Sequence, residues 1–224
     1  MSFSFVNLPE LQFDLDSETT DNGRFYTTPS GIKYPSVTTV LSASGDKEAL
    51  KKWIKRVGEE EAEKIKRKAG NRGTRMHSLC EDYLKGKLTK MKMQSLMPFD
   101  KMLFNMIRPL LDNHVNDVYC MEQALYSDKL KIAGRVDLIA SWKNKIAVID
   151  FKTSLKEKKE EWIQNYFIQC TAYALMFEDL TGQCIDDIVV LIATEEQTAQ
   201  VFERKKEVYI PILHKYINEY CCMK

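Results

Sequence analysis

At 224 residues, with 44% hydrophobic and 29% charged, the chain has the make-up of an ordinary folded domain with room for a substantial core. A formal net charge of +1 excludes an overall basic character, so any nucleic-acid surface must be a local patch on a neutral body. No run of about 18 apolar residues offers a membrane span, and Met1-Ser-Phe-Ser-Phe-Val lacks the charged and apolar regions of a secretory signal. Six scattered cysteines without a CxxC pair read as reduced thiols, not as a disulfide framework or zinc site. These features together predict a cytoplasmic, unsecreted protein.

Residues 1–30 are acidic and loop-like, with a turn signal at Asn22-Gly23. Arg24–Thr28 and Gly31–Tyr34 predict a small hairpin around Pro29-Ser30-Gly31. Pro35–Leu41 leads toward a helix, and Asp46 is placed to N-cap another over 47–57. Glu59–Lys68 reads as a charged, solvated helix; Gly70-Asn-Arg-Gly73 interrupts it and Thr74–Leu84 resumes it. Phe99–His114 has a helical period, with Pro109 expected to kink or split it.

From Val118 the pattern turns to strands. Val118–Tyr126, Lys131–Ser141 and Lys145–Thr153 predict three consecutive antiparallel strands, the last two joined by a turn at Lys143-Asn144. Glu161–Asp179 is a strong helix striped by Ile163, Phe167, Cys170, Ala174 and Phe177, ended by Gly182. Asp187–Thr194 and Ala199–Glu203 add strands, and Lys205–Cys222 a closing helix. The expected class is α/β: a central mixed β-sheet flanked by helices, with a helical N-terminal half. Residues 1–115 form the N-terminal helical region, packed on a core of residues 116–224.

Asp137 and Asp150 close the apolar runs of the second and third strands of this meander. Pairing of those strands brings both carboxylates to one place, and strand alternation points Lys152 to the side of Asp150. Two hard oxygen ligands beside a fixed ammonium suit a magnesium ion working on a phosphodiester. Arg135, one strand position out of phase, faces the other side and reads as structural. Trp53-Ile-Lys-Arg56 and Lys156-Glu-Lys-Lys-Glu-Glu-Trp162 interleave aromatic and cationic residues, as single-strand binding does. The plainer alternative is a solvated charged run with Trp162 in the core.

Gly134-Arg-Val-Asp137 followed by Asp150-Phe-Lys152 resembles the PD-(D/E)xK nuclease signature, with Val136 where the signature has proline. Gln169-Cys-Thr-Ala-Tyr173 is similar to the QxxxY element of the RecB-like branch. Arg72-Gly-Thr-Arg-Met-His77 is similar to its GxxxH element, and Glu122 stands where these enzymes carry a strand glutamate. Together with Pro35-Ser-Val-Thr38-Thr-Val-Leu41 and Ile149-Asp-Phe-Lys-Thr-Ser154, these motifs resemble the family of the mitochondrial genome maintenance exonuclease and its viral and bacterial relatives. With no leader peptide in view, a phage or bacterial member is expected.

The resemblance implies a restriction-endonuclease-like core and a metal-dependent DNA exonuclease. Its substrate would be single-stranded DNA or flaps with a free end, in replication, recombination or repair, beside a replication or recombination protein. A structure-specific endonuclease, an RNA-directed nuclease and a non-catalytic DNA-binding module remain open. Asp137, Asp150 and the Phe151 carbonyl would hold Mg²⁺ or Mn²⁺, and Lys152 would orient the attacking water or stabilise the phosphate. Glu122 and His77 would complete the metal shell or bind the phosphate. Gln169 and Tyr173 would position DNA or the active-site strand, with Trp53 and Arg72 as further DNA contacts. Ser36 and Thr38 would grip a phosphate or merely cap a helix. No iron–sulfur cluster is expected, because Cys221 and Cys222 are adjacent and Cys184 is distant.

Overall fold

The apolar runs after residue 115 pair into a sheet, and the helices before and after them cover its two faces. The computed structural model describes residues 3–43 and 47–223. The strands and helices begin with β1 (Ser4–Phe5), β2 (Asp16–Thr20), β3 (Gly23–Thr27), β4 (Lys33–Pro35), α1 (Val37–Ala43) and α2 (Lys47–Val57). They continue with α3 (Glu59–Leu84), α4 (Lys90–Ser95), α5 (Pro98–His114), β5 (Val115–Ser127), β6 (Ile132–Trp142) and β7 (Lys145–Ser154). The chain closes with α6 (Gln164–Thr181), β8 (Asp187–Thr194), β9 (Ala199–Lys205) and α7 (Ile210–Cys222).

The larger sheet has the order β1-β5-β6-β7-β8-β9, and β2-β3-β4 form a small second sheet. Strands β5, β6 and β7 are antiparallel neighbours, β7 and β8 are parallel, and β9 returns antiparallel. The parallel pair requires a crossover, which α6 supplies. Lys143 (φ 50) and Asn144 (φ 65) both sit in the left-handed region, the two-residue turn whose twist suits adjoining strands. This is the mixed α/β architecture that the sequence predicts.

Alternation along β7 divides the core in two. Val148 meets Phe167, Cys170, Ala174 and Phe177 of α6, with Val40 of α1 and Leu213 of α7. Ile149 and Phe151 face the other way, onto Met76 and Cys80 of α3 and Leu103, Phe104 and Ile107 of α5. Burial of each such large side chain contributes on the order of 1.5–3 kcal/mol.

Several elements depart from expectation. Helix α3 runs unbroken through Gly70-Asn71-Arg72-Gly73. Each interior glycine costs about 1 kcal/mol relative to alanine. The burial of Met76, Leu79, Cys80 and Leu84 in the following turns outweighs it. Helix α5 passes Pro109 without splitting, anchored by Leu103, Phe104, Ile107 and Leu111. Residues 16–20, expected as loop, form β2 and pair with β3. The Asp46 cap falls outside the described residues. Among the described residues no helix is long and apolar enough to cross a membrane.

A β-carbon added at Gly70 meets nothing within 4 Å. Gly70→Ala should therefore stabilise the fold by roughly 0.5–1 kcal/mol, read as a raised urea midpoint at unchanged slope. A lowered midpoint would mean that the continuous helix is under strain at this turn.

Candidate active site

Strands β6 and β7 pair from Trp142↔Lys145 up to Leu138↔Ile149 and stop there. The next opposed residues are Asp137 and Asp150, where the strands part. The Phe151 N–H, which a continued ladder would have used, donates instead to Asp137 Oδ2 at 2.8 Å. The Phe151 carbonyl accepts from His77 Nε2 of α3 at 2.8 Å. His77 Nδ1 then points at Asp137 Oδ1 (3.4 Å) and Glu122 Oε1 (3.6 Å). Glu122 lies on β5 between Met121 and Gln123, which pair with Leu138 and Val136. Its backbone is left-handed (φ 48), a strained state for a non-glycine residue, and the Arg135 guanidinium holds its carbonyl. Arg135 also pairs with Asp14 at 2.6 Å, so it braces the strand.

Asp150 is 1% exposed, and neither of its oxygens accepts a hydrogen bond of ordinary geometry. Its counter-charge is the Lys152 ammonium, in contact with Oδ2. Burial pushes the Asp150 carboxyl up to about 6, against the pull of Lys152. Burial acts the same way on Asp137, but the His77 hydrogen bond and the Lys152 charge outweigh it and hold that carboxyl below the usual range. Burial would lower His77, yet the hydrogen bonds to Asp137 and Glu122 raise it to about 10. Lys152 stays charged for the same reason: Asp150 and Asp137 outweigh its burial and raise it.

The donor set fits a divalent cation. Ligand atoms of His77, Glu122 and Asp137 lie within 4.8 Å of one another; Asp150, paired with Lys152, is not one of that group. Two carboxylates with one imidazole are a donor set that a divalent metal ion can use. Of the oxygen donors expected from the sequence, the Phe151 carbonyl is here engaged by His77.

Helix α6 closes the site from the other face. Gln169 Nε2 donates to the Tyr173 hydroxyl at 3.3 Å, and the Tyr173 ring is packed on Gly134. A β-carbon at Gly134 would lie 2.8 Å from Tyr173 Cε1. The glycine of the first motif and the tyrosine of the last are thus one contact, which presses β6 onto α6. Buried Tyr173 positions the strand and offers nothing to solvent. Tyr166, not anticipated from the sequence, puts its ring 5.1 Å from the Lys152 ammonium. Its spacing from Gln169 and Tyr173, three and seven residues, was the available signal.

Other expected contacts lie elsewhere. Arg72 is 8% exposed, donates to Thr153 Oγ1 at 2.9 Å and pairs with Glu195. It ties α3 to the ends of β7 and β8 and is not presented to a ligand. Ser36 Oγ accepts the Thr39 N–H at 3.0 Å and bonds the Thr38 hydroxyl at 3.0 Å, so both serve the start of α1. Trp53 sits half-buried on α2. Trp162, expected in the core under one reading, is 61% exposed; Ile163 takes the buried position beside it.

Two buried aspartates and a lysine lie where neighbouring sheet strands part. The family model of the PD-(D/E)XK nuclease superfamily matches residues 40–209, and the chain belongs to that superfamily. Among solved structures it is similar to a protein of Eubacterium rectale described as a candidate exonuclease. That match has 10% identity over 68% of this chain and 69% of the other, with a TM-score of 0.44. It is also similar to SSO0001, at 16% identity over 70% of this chain and 72% of the other, with a TM-score of 0.33. No curated protein matches in sequence.

Two outcomes follow from this geometry. Gly134→Ala should lower stability by about 1–3 kcal/mol, because Tyr173 has no room to retreat; an unchanged denaturation midpoint would refute the contact. Protons compete with a cation for His77, protonated below about 10, and for Asp150, protonated below about 6. Mn²⁺ affinity measured by calorimetry should therefore rise with pH through neutrality, with proton release on binding. A pH-independent affinity would remove His77 from the ligand set.

Proposed function

We propose that the chain is a Mg²⁺- or Mn²⁺-dependent DNA exonuclease acting on single-stranded DNA or on flaps with a free end. The observation that carries this reading is the cluster of His77, Glu122 and Asp137, whose ligand atoms lie within 4.8 Å of one another, beside the buried Asp150–Lys152 ion pair. Such an arrangement is costly to the fold unless a cation completes it. Asp137, Asp150, Glu122 and His77 are the residues proposed to hold the metal. When bound, the metal supplies an activated water and neutralises charge on the scissile phosphate.

The chain's own groups do the rest. Lys152 stays protonated between Asp150 and the Tyr166 ring, so it donates to the water or to a phosphate oxygen as negative charge builds there. Glu122, on its strained turn of backbone, is fixed in place before substrate arrives. Asp137 Oδ2 accepts from the Phe151 N–H, so Oδ1, which faces His77 Nδ1 at 3.4 Å, is the oxygen proposed for the metal once His77 gives up its proton. A cleft of about 270 Å³ bounded by Lys68, Asn71, Arg75 and Phe99 adjoins the Arg72–Glu195 pair, and so the outer end of β7. Lys68 there is placed to meet a phosphodiester backbone, whereas Arg75 pairs with Asp100 at 2.8 Å.

Asp150→Ala should abolish cleavage of end-labelled single strands in Mg²⁺ while DNA binding persists, and Lys152→Met should slow it by roughly 10²–10³-fold. Blocking either end of the labelled strand reads the need for a free terminus. Undiminished cleavage by Asp150→Ala would eliminate this site, and equal cleavage of doubly blocked circles would eliminate exonuclease action.

A further inference from the structure

Resting on the nuclease reading above, we propose that Trp162 and Tyr166 form an aromatic ladder on which unpaired nucleobases beside the scissile phosphate stack. The site then takes its strand with base faces exposed, and a paired duplex is a poor ligand. Both residues follow the catalytic strand: Trp162 ends the short 3-10 turn Glu160–Trp162, and Tyr166 lies one turn further, in the first turns of α6.

The Trp162 ring is exposed although the segment that carries it is tied down. Gln200 of β9 brackets Lys158, accepting its N–H at 2.7 Å and donating to its carbonyl at 3.0 Å. Arg204 Nε donates to Glu160 Oε1 at 2.8 Å, and the Trp162 N–H donates to the Lys159 carbonyl at 3.0 Å. Ile163, next in sequence, is fully buried. A loose loop therefore does not explain an indole left in water, where tryptophan is seldom found. Leu155, at the other end of the same segment, is also exposed.

The two rings are each paired with a lysine. Lys159 lies 5.3 Å from the centroid of Trp162, and Lys152 lies 5.1 Å from that of Tyr166. The ladder thus begins in solvent and ends on the ammonium proposed to act on the phosphate. The Tyr166 hydroxyl makes no hydrogen bond among the described residues and is free to meet substrate.

Charge alone does not explain the segment. Residues 156–161 hold three lysines and three glutamates (Lys156, Lys158, Lys159; Glu157, Glu160, Glu161); Glu160 is paired with Arg204 and Lys159 lies over Trp162. With Glu160 neutralised by Arg204 the segment carries a charge of +1, a weak attraction to a duplex backbone, whereas an aromatic face binds any exposed base. The ladder therefore selects for strand separation by stacking.

The test is binding of single-stranded oligothymidylate in the presence of chelator, followed by fluorescence anisotropy, to wild type, Trp162→Ala and Trp162→Phe. A single abasic residue is walked along the strand. Trp162→Ala should weaken binding by roughly 5- to 150-fold, and Trp162→Phe should keep most of the affinity. At one abasic position wild type should lose the same factor, while Trp162→Ala loses nothing more. Trp162 is exposed, so its replacement leaves the core intact. Equal binding by Trp162→Ala, or additive losses at every abasic position, overturns the ladder. Intact Trp162-dependent binding without any metal-dependent cleavage by wild type would overturn the nuclease reading and leave the ladder standing.

Discussion

A single backbone pair that is not made holds this site open. Past Leu138↔Ile149 the ladder between β6 and β7 ends, and the freed main-chain groups of Phe151 are taken by Asp137 and His77. Buried peptide groups demand partners. The two side chains therefore do double work: they satisfy the strand where it departs from its neighbour, and in doing so they are oriented toward Glu122 and toward each other. Were the ladder to close, Asp137 would lose this donor and the space beside Asp150 would narrow.

Keeping that gap is unfavourable for the metal-free fold. Asp150 is ionised against burial, with Lys152 as its counter-charge, and Glu122 sits in a left-handed backbone. Two apolar cores, one on each sheet face, supply the offsetting stability. Polar braces at the margins localise the strain. Arg72 fastens α3 to Thr153 and Glu195, and Arg135 secures the Glu122 carbonyl. The site is thus assembled from three separate elements (α3, β5 and the β6–β7 junction) whose relative positions are set by large, featureless packing.

Helix α6 links this chemistry to the substrate. Its buried residues fill one core, while Tyr166, Gln169 and Tyr173 run along the margin facing the carboxylates. Tyr173 fixes β6 through Gly134, and Tyr166 fixes Lys152. The same helix therefore both aligns the proposed catalytic groups and, through the turn that precedes it, presents Trp162 to solvent.

Local pattern was enough to read much of this chain. The meander, the turn at Lys143-Asn144, the stop at Gly182 and the placing of Asp150 and Lys152 on one side all follow from periodicity and turn chemistry, which involve only near neighbours. Residues whose surroundings come from distant segments were not legible in the same way. Arg72 looked like a free cation until Glu195, more than a hundred residues on, was folded against it, and Trp162 looked like core until Ile163 claimed the buried place. Gly70 and Gly73 read as a break because propensity is local, whereas the burial that carries α3 through them is supplied by α5 and the sheet. Residue types and their order thus specify which groups can do chemistry. Which of them meet, and which are consumed as braces, depends on burial and on hydrogen-bond partners, and those exist only once the sheet and helices have packed.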